Sequence, residues 1–232
     1  MNSDEYSKTI YSIAHDLSAP LRGLDGFSTI LVETYQDKLD EQGLQWLLMI
    51  KENAIKAKVM LNSIVTYSQI TSTDYPPIEV NLNQLIDKIL TKNKYFNNYY
   101  SNQITPTLKI TKLPTIKGIE QLWDKLLTAL LDNAFKFQYK DKKPIIEVST
   151  IQTKDCWSLL IADNGIGIKK QDYDIITRIF SRLHSEKIYP GDGMGLAYCQ
   201  QIINMYDGSI KFDQSMLGGL LVNCTFPSRF LA

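Results

Sequence analysis

Two histidines, His15 and His184, are all that 232 residues carry. Cysteine is nearly as scarce: Cys156, Cys199 and Cys224 are odd in number and lack metal-type spacing, so they read as buried thiols of a reducing cytosol. No run of about 18 apolar residues is present and the N-terminus has no signal-peptide pattern. The expectation is a soluble, cytoplasmic protein with no membrane insertion. Neither sign of charge is in excess, with 25 Lys plus Arg against 25 Asp plus Glu. Without a broad field, nucleic acid and anionic membranes are not favoured partners. What is present is a hydrophobic fraction of 44% and a charged fraction of 22%, enough for a real core in one large domain or two small ones.

The two halves of the chain are patterned differently. Over residues 3 to 36, Ile10, Ile13, Leu17, Leu21, Leu24, Phe27 and Leu31 recur at helical spacing. A second such stretch runs from 41 to 72 through Leu44, Leu47, Leu48, Ala54, Leu61, Ile64 and Val65. The short polar "YQDKLDEQG" between them predicts a turn joining antiparallel helices. Neither helix buries its stripe by pairing with one other helix, so a homodimer forming a four-helix bundle is expected.

The stretch "TSTDYPP" (71–77) breaks the pattern and marks the boundary. Beyond it, "NLNQLIDKILTKNKYF" and "IEQLWDKLLTALLDNAFKF" read as helices, and "ITPTLKI", "IIEVSTIQ" and "WSLLIAD" as strands. A helix at about 194–206 and a closing hairpin, "SIKFDQ" with "LLVNCTF" across "SMLGG", complete a mixed sheet covered by helices on one face.

Three stretches carry candidate chemistry. In "DNGIGI" (163–168), Asp163 ends an apolar strand and Gly165 and Gly167 follow at once. A buried carboxylate there accepts a hydrogen bond from an exocyclic amine such as adenine's; a plain tight turn is the alternative. In "GDGMGLAYCQQII" (191–203), Gly191, Gly193 and Gly195 run into a helix N-terminus, which favours phosphate oxygens. It is neither a Walker A loop nor a Rossmann fingerprint. The intervening loop bears Arg178, Arg182, His184 and Lys187. In "LLDNAFKF" (130–137), Asn133 and Lys136 share a helix face, an amide oxygen suited to Mg2+ and an ammonium suited to phosphate; alone, such a pair is more often solvated surface.

Taken in order, "HDLSAPLR" (15–22), "DNAFKF", "DNGIGI", "IFSRLH" and "GDGMGLA" resemble the H, N, G1, F and G2 boxes of two-component sensor histidine kinases. The phrasing "RIFSRLHSEKIYPGDGMGLA" is most similar to phytochrome-like members. The resemblance spans about residues 5 to 228. It implies a multidomain α and α+β chain: a dimerisation and histidine-phosphotransfer hairpin over 1–73, a linker at 74–78, and an α/β-sandwich ATP-binding domain of the Bergerat fold over 79–232. It also implies that His15 is the phosphoacceptor and Asp16 its acidic neighbour. Asn133 would hold Mg2+, Lys136 the phosphates, and Asp163 the adenine amine in a pocket shaped by Gly165 and Gly167. Gly193 and Gly195 would border the triphosphate of ATP, with Phe180 and Arg182 in a mobile lid and His184 at an ordinary lid position. Pro20 has no N–H for the carbonyl of Asp16, so the helix is loosened beside His15.

The implied activity is an ATP-dependent protein-histidine kinase that phosphorylates itself and passes the phosphoryl group to an aspartate of a response regulator receiver domain. The signal is expected from a separate sensor protein or from a region missing from this chain. Four positions depart from the family pattern: Ala129 where a second asparagine is usual, Ile119 after Gly118 where an acid is usual, Leu221 where a threonine often sits near the adenine, and Ala19 where phosphatase-competent members often have Thr or Asn. Ala129 supports an alternative, a histidine phosphotransfer protein with a degenerate, non-catalytic ATP-binding domain. A Bergerat-type ATPase or serine kinase is a third class, and neither explains the His15 hairpin.

Overall fold

The computed structural model describes residues 3–72, 75–93, 97, 105–186 and 188–232. Lys187 and residues 94–96, the end of the first helix expected in the second half, lie outside the described residues. The chain divides into two compact units, residues 1–73 and 74–232.

The first unit is a helical hairpin. Helix α1 runs over Ser3–Tyr35, a 3-10 turn covers Gln36–Lys38, and α2 runs over Glu41–Ile70. The side chain of Asp40 caps α2 by accepting from the backbone N–H of Gly43 at 2.7 Å. Small residues make much of the seam between the helices. Ala14, Ser28, Ala54 and Ser63 are buried with Leu47 and Leu61, and Ser7 Oγ donates to the carbonyl of Ser68 at 2.8 Å. Five larger side chains of the α1 stripe stay outside that seam: Ile13, Leu17, Leu24, Phe27 and Leu31 are exposed, Phe27 by 70%.

Pro20 lies inside α1 without ending it. The carbonyl of Asp16 has no N–H at position 20 to accept, and Ser18 Oγ donates to the carbonyl of Ala14 at 2.7 Å. One helix-ladder bond is therefore missing at Asp16, the neighbour of His15.

The second unit opens with β1 (Ile78–Asn81), whose last residue caps α3 (Leu82–Lys92): Asn81 Oδ1 accepts from the N–H groups of Asn83 and Gln84. Strands β2 (Thr107–Ile110) and β3 (Thr115–Gly118) precede helix α4 (Glu120–Lys136). Then come β4 (Ile145–Gln152), β5 (Cys156–Asp163), α5 (Gly195–Met205), β6 (Ser209–Gln214) and β7 (Leu220–Pro227). One five-stranded sheet has the order β2-β4-β5-β7-β6, parallel only between β2 and β4. A separate antiparallel pair, β1 with β3, was not legible in the sequence because each strand is only four residues long.

Alternation along β5 explains the layering. Trp157, Leu159, Ile161 and Asp163 are buried under the helices, while Cys156, Ser158, Leu160 and Ala162 face the half-open side. That corrects the expectation of three buried thiols. Cys199 and Cys224 are buried, but Cys156 starts β5 on the open face and is half-exposed. Burial pushes the Cys224 thiol up to about 12.

An aromatic cluster anchors the end of the core remote from Asp163. Trp123 of α4 stacks on Trp157 with ring centroids 5.9 Å apart and meets Phe226 at 4.9 Å and Tyr206 at 5.4 Å. Tyr206 Oη also accepts from the backbone N–H of Ile119, which holds the start of α4 where no side-chain cap is present. A Cβ on Gly118 would sit 2.5 Å from the Trp123 indole nitrogen and 2.9 Å from Ile116 Cδ1, both within fully buried side chains. Gly118→Ala is therefore expected to destabilise this unit by about 1–3 kcal/mol through overpacking. Thermal melting of the variant against the native chain checks it; an unchanged melting temperature would mean that the cluster yields freely.

Candidate functional site

A cavity of about 560 Å³ opens between α4, the loop before α5 and the ends of β5 and β7. Helix α4 supplies its wall by a division of faces. Leu122, Trp123, Leu126, Leu127, Leu130, Leu131, Ala134 and Phe135 are buried in the core. Lys125, Ala129, Asn133 and Lys136, three or four residues apart, line the cavity.

Asp163 lies at one pole. It is 7% exposed, and its Oδ1 accepts from the backbone N–H of Gly165 at 2.8 Å and of Leu220 at 3.1 Å. A Cβ on Gly219 would collide with this carboxylate, so the close approach of β7 requires glycine there. Oδ2 has no hydrogen-bond partner among the described residues and remains available to a ligand. Burial raises the Asp163 carboxyl from 3.8 to about 6, opposed by the two backbone N–H groups. Asn164 fixes the turn: its Oδ1 accepts from Ile145 N–H at 2.8 Å and its Nδ2 donates to the carbonyl of Lys143 at 2.9 Å.

The second glycine cluster lies beside α4. Gly191, Gly193 and Gly195 all line the cavity, and Gly195 begins α5. A Cβ on Gly195 would stand 3.8 Å from Ala129 Cβ and 3.9 Å from Asn133 Nδ2, so the N-terminus of α5 faces those two positions. Gly193 has a φ of +75° and is covered by the preceding loop; a Cβ there would meet Ser181 O at 2.8 Å and Arg182 Cγ at 2.9 Å.

That loop is held by polar and aromatic contacts. The Arg182 guanidinium donates to the carbonyls of Gly191 and Tyr189, and Tyr189 Oη donates to the carbonyl of Gln138 at 3.3 Å. The rings of Tyr189 and His184 stand 5.0 and 6.0 Å from the Phe137 ring, and Lys136 Nζ lies 4.5 Å from the Phe137 centroid. Phe180 does not line the cavity; it adopts a φ of +58°, a strained backbone where the loop turns onto Gly193.

Residues 118–229 match the family model for histidine kinase-, DNA gyrase B-, and HSP90-like ATPases. Cyanobacterial phytochrome A of Nostoc sp. is 30% identical over 96% of this chain and 28% of its own length. The methanogenesis regulatory histidine kinase FilI of Methanothrix harundinacea is 26% identical over 97% of this chain and 25% of its own. This chain is a sensor histidine kinase core with an ATP-binding domain. The core spans about a quarter of those curated relatives, 28% and 25% of their lengths. Its fold is shared with full-length ShkA in complex with AMPPNP (TM-score 0.65, 17% identity, covering 97% of this chain and 46% of that one). It is shared too with Acinetobacter baumannii histidine kinase AdeS (TM-score 0.59, 20% identity, 92% and 97%).

Within this kinase core, Asn133, Lys136, Asp163, Gly167, Arg182, Gly193 and Gly195 line one cavity, and Gly165 stands behind Asp163 as a hydrogen-bond donor. His15 and Asp16 belong to the hairpin unit. The departure at Leu221 is displaced: Leu220 and Val222 line the cavity, whereas Leu221 does not, because alternate residues of β7 face opposite sides. Sequence reasoning missed Lys125, Tyr189 and Asp192, which also line it. The helical spacing of Lys125 from Asn133 was the available signal; Tyr189 and Asp192 sit in a loop with no period to read.

The raised Asp163 pKa has a consequence for stability. Its folded value exceeds its unfolded one, so the contribution is full below about pH 4 and is lost as pH rises through about 6. Asp163→Asn, which keeps an acceptor oxygen without the charge, is expected to be more stable than the native chain above pH 7, by about 2–3 kcal/mol. The two should converge below pH 4. Denaturant unfolding across that range checks it, and a constant difference would refute the desolvation account.

Proposed function

We propose that this chain is an ATP-dependent protein-histidine kinase that phosphorylates itself on His15 and passes the phosphoryl group to an aspartate of a response regulator receiver domain. One observation carries the reading: a single cavity in the ATPase-family domain joins the buried Asp163 carboxylate to Asn133, Lys136 and the glycine-rich start of α5. Those groups suit, in order, a base amine, a hard cation, and phosphate oxygens.

Asp163 Oδ2 would accept from the exocyclic amine of adenine. Lys136 and the backbone N–H groups at the start of α5 would hold phosphate oxygens. Among the described residues no group of three or more His, Cys, Asp or Glu is placed to hold a metal. Asn133, on the cavity wall, would hold Mg2+ through its amide oxygen, a donor suited to a hard cation. When bound, the ion neutralises phosphate charge; positioning and charge stabilisation supply most of the acceleration in phosphoryl transfer.

At His15 the supporting geometry is simple. The ring is exposed, and Nδ1 lies 3.3 Å from Asp16 Oδ1. A carboxylate there selects the tautomer with its proton on Nδ1, so Nε2 keeps its lone pair. Attack by Nε2 on the γ-phosphorus forms the N–P bond and breaks the bond to the bridging oxygen, releasing ADP. The Nδ1 proton then has Asp16 as its acceptor, which leaves a neutral phosphoimidazole. His15→Gln is expected to abolish incorporation of labelled phosphate while nucleotide binding persists. The native label should be lost in acid and kept in base. Retention of label by the variant, or an acid-stable product, would move the reading to a serine kinase.

The same reading makes the hairpin a homodimer, since the exposed stripe from Ile13 to Leu31 matches a four-helix seam. The isolated hairpin, residues 1–73, is expected to sediment as a dimer at micromolar concentration, and a folded monomer would oppose it.

One observation favours a second reading, a phosphotransfer protein with a non-catalytic ATP-binding domain. Ala129 lines the cavity one helical turn from Asn133 and offers no oxygen. Ala129→Asn is expected to raise nucleotide affinity or autophosphorylation by about tenfold, the worth of one charge-assisted contact. If the native chain takes no label from ATP yet accepts phosphate from a phosphorylated regulator, the second reading stands.

A further inference from the structure

The cavity wall carries a second lysine that the foregoing roles do not use. Lys125 lies eight residues before Asn133 on the same face of α4, roughly 12 Å further along the helix axis. It is half-buried, and its Nζ stands 4.8 Å from the centroid of the Tyr198 ring, on the first turns of α5. Burial lowers its pKa, while the neighbouring carboxylates Asp124 and Asp192 favour its charged form. Asp192 comes from the glycine-rich loop and lines the same cavity.

The order of groups along α4 gives the cavity a direction. Phe137 and the Asp163–Gly165 turn are at its C-terminal end, where Ile166 N–H donates to the carbonyl of Phe137 at 3.0 Å. Asn133 and Ala129 face the start of α5, and Lys125 comes last. A ligand with its base at Asp163 and its inner phosphates at the start of α5 extends its outermost phosphate toward Lys125. Ala129 lies between and contributes neither charge nor oxygen.

On the reading of this cavity as a nucleotide site, we propose that Lys125 binds the terminal phosphate of a nucleoside triphosphate, exchanging its attraction to Asp192 for a contact with phosphate, and so distinguishes triphosphate from diphosphate. An ammonium held against an aromatic ring serves this role because it is desolvated in advance and meets phosphate as a point charge. Tyr198 limits where the Lys125 stem can lie.

The test is calorimetric titration of the full chain, in Mg2+, with adenosine, ADP and AMPPNP. Lys125→Met, close in length and without charge, is expected to weaken AMPPNP about tenfold, ADP by much less and adenosine not at all. Lys125→Arg should retain the preference for AMPPNP over ADP. Asp192→Asn, which keeps the acceptor for the Met194 N–H but removes the competing charge, should bind AMPPNP more tightly. Unchanged AMPPNP affinity in Lys125→Met would overturn the proposal, as would an equal loss for all three ligands, the mark of a merely structural residue. Weaker AMPPNP binding by Asp192→Asn would overturn it too. A native chain that binds none of the three would refute the nucleotide-site reading itself, a result distinct from failure of the Lys125 assignment.

Discussion

Eight apolar side chains of α4, from Leu122 to Phe135, are buried in the core of the second unit, and the cavity takes its shape from that contact. Burying this face fixes the rotation of the helix about its axis. The opposite face, with Lys125, Ala129, Asn133 and Lys136, then has nowhere to go but the cavity wall. Burial of a Leu or Phe side chain is worth about 1.5–3 kcal/mol, so the rotation is held by far more energy than any one polar contact on the ligand side costs or returns. Trp123 pins one end of the helix in the aromatic cluster, and Ile166 hydrogen-bonds to Phe137 at the other. The cavity-lining groups are thus placed by the core.

The buried Asp163 carboxylate shows the cost of that arrangement. Taking a carboxylate out of water raises its pKa to about 6, and two backbone N–H groups on one oxygen offset only part of the penalty. Gly165 and Gly219 let the chain approach closely enough to supply those bonds. A buried carboxylate held at such a cost is a functional-site candidate on physical grounds.

The hairpin follows a different logic. Its seam is made largely of small side chains with Leu47 and Leu61, serine hydroxyls are bonded back to carbonyls, and Ile13, Leu17, Leu24, Phe27 and Leu31 of α1 stay exposed. Two helices in contact have one shared face, and the stripe from Ile13 to Leu31 is wider than that face. Pro20 adds a local fault in the helix ladder four residues after Asp16, beside the exposed imidazole.

Periodicity and box order in the sequence determined the helical hairpin, the mixed sheet and the family, because 3.6- and 2-residue repeats and glycine-rich turns are local properties. The motifs "DNAFKF", "DNGIGI" and "GDGMGLA" carry Asn133, Lys136, Asp163, Gly193 and Gly195, which all line the one cavity. Tertiary structure alone decided the rest. The β1–β3 pair joins residues separated by more than 30 positions, with no periodic signal in either short strand. Leu220 rather than Leu221 faces the cavity because register, set by pairing with β5, selects the side each residue takes. Cys156 is half-exposed because the helices cover only one face of β5. Lys125 carries no motif; it becomes part of the site only because the core turns its face of α4 toward the loop that brings Asp192.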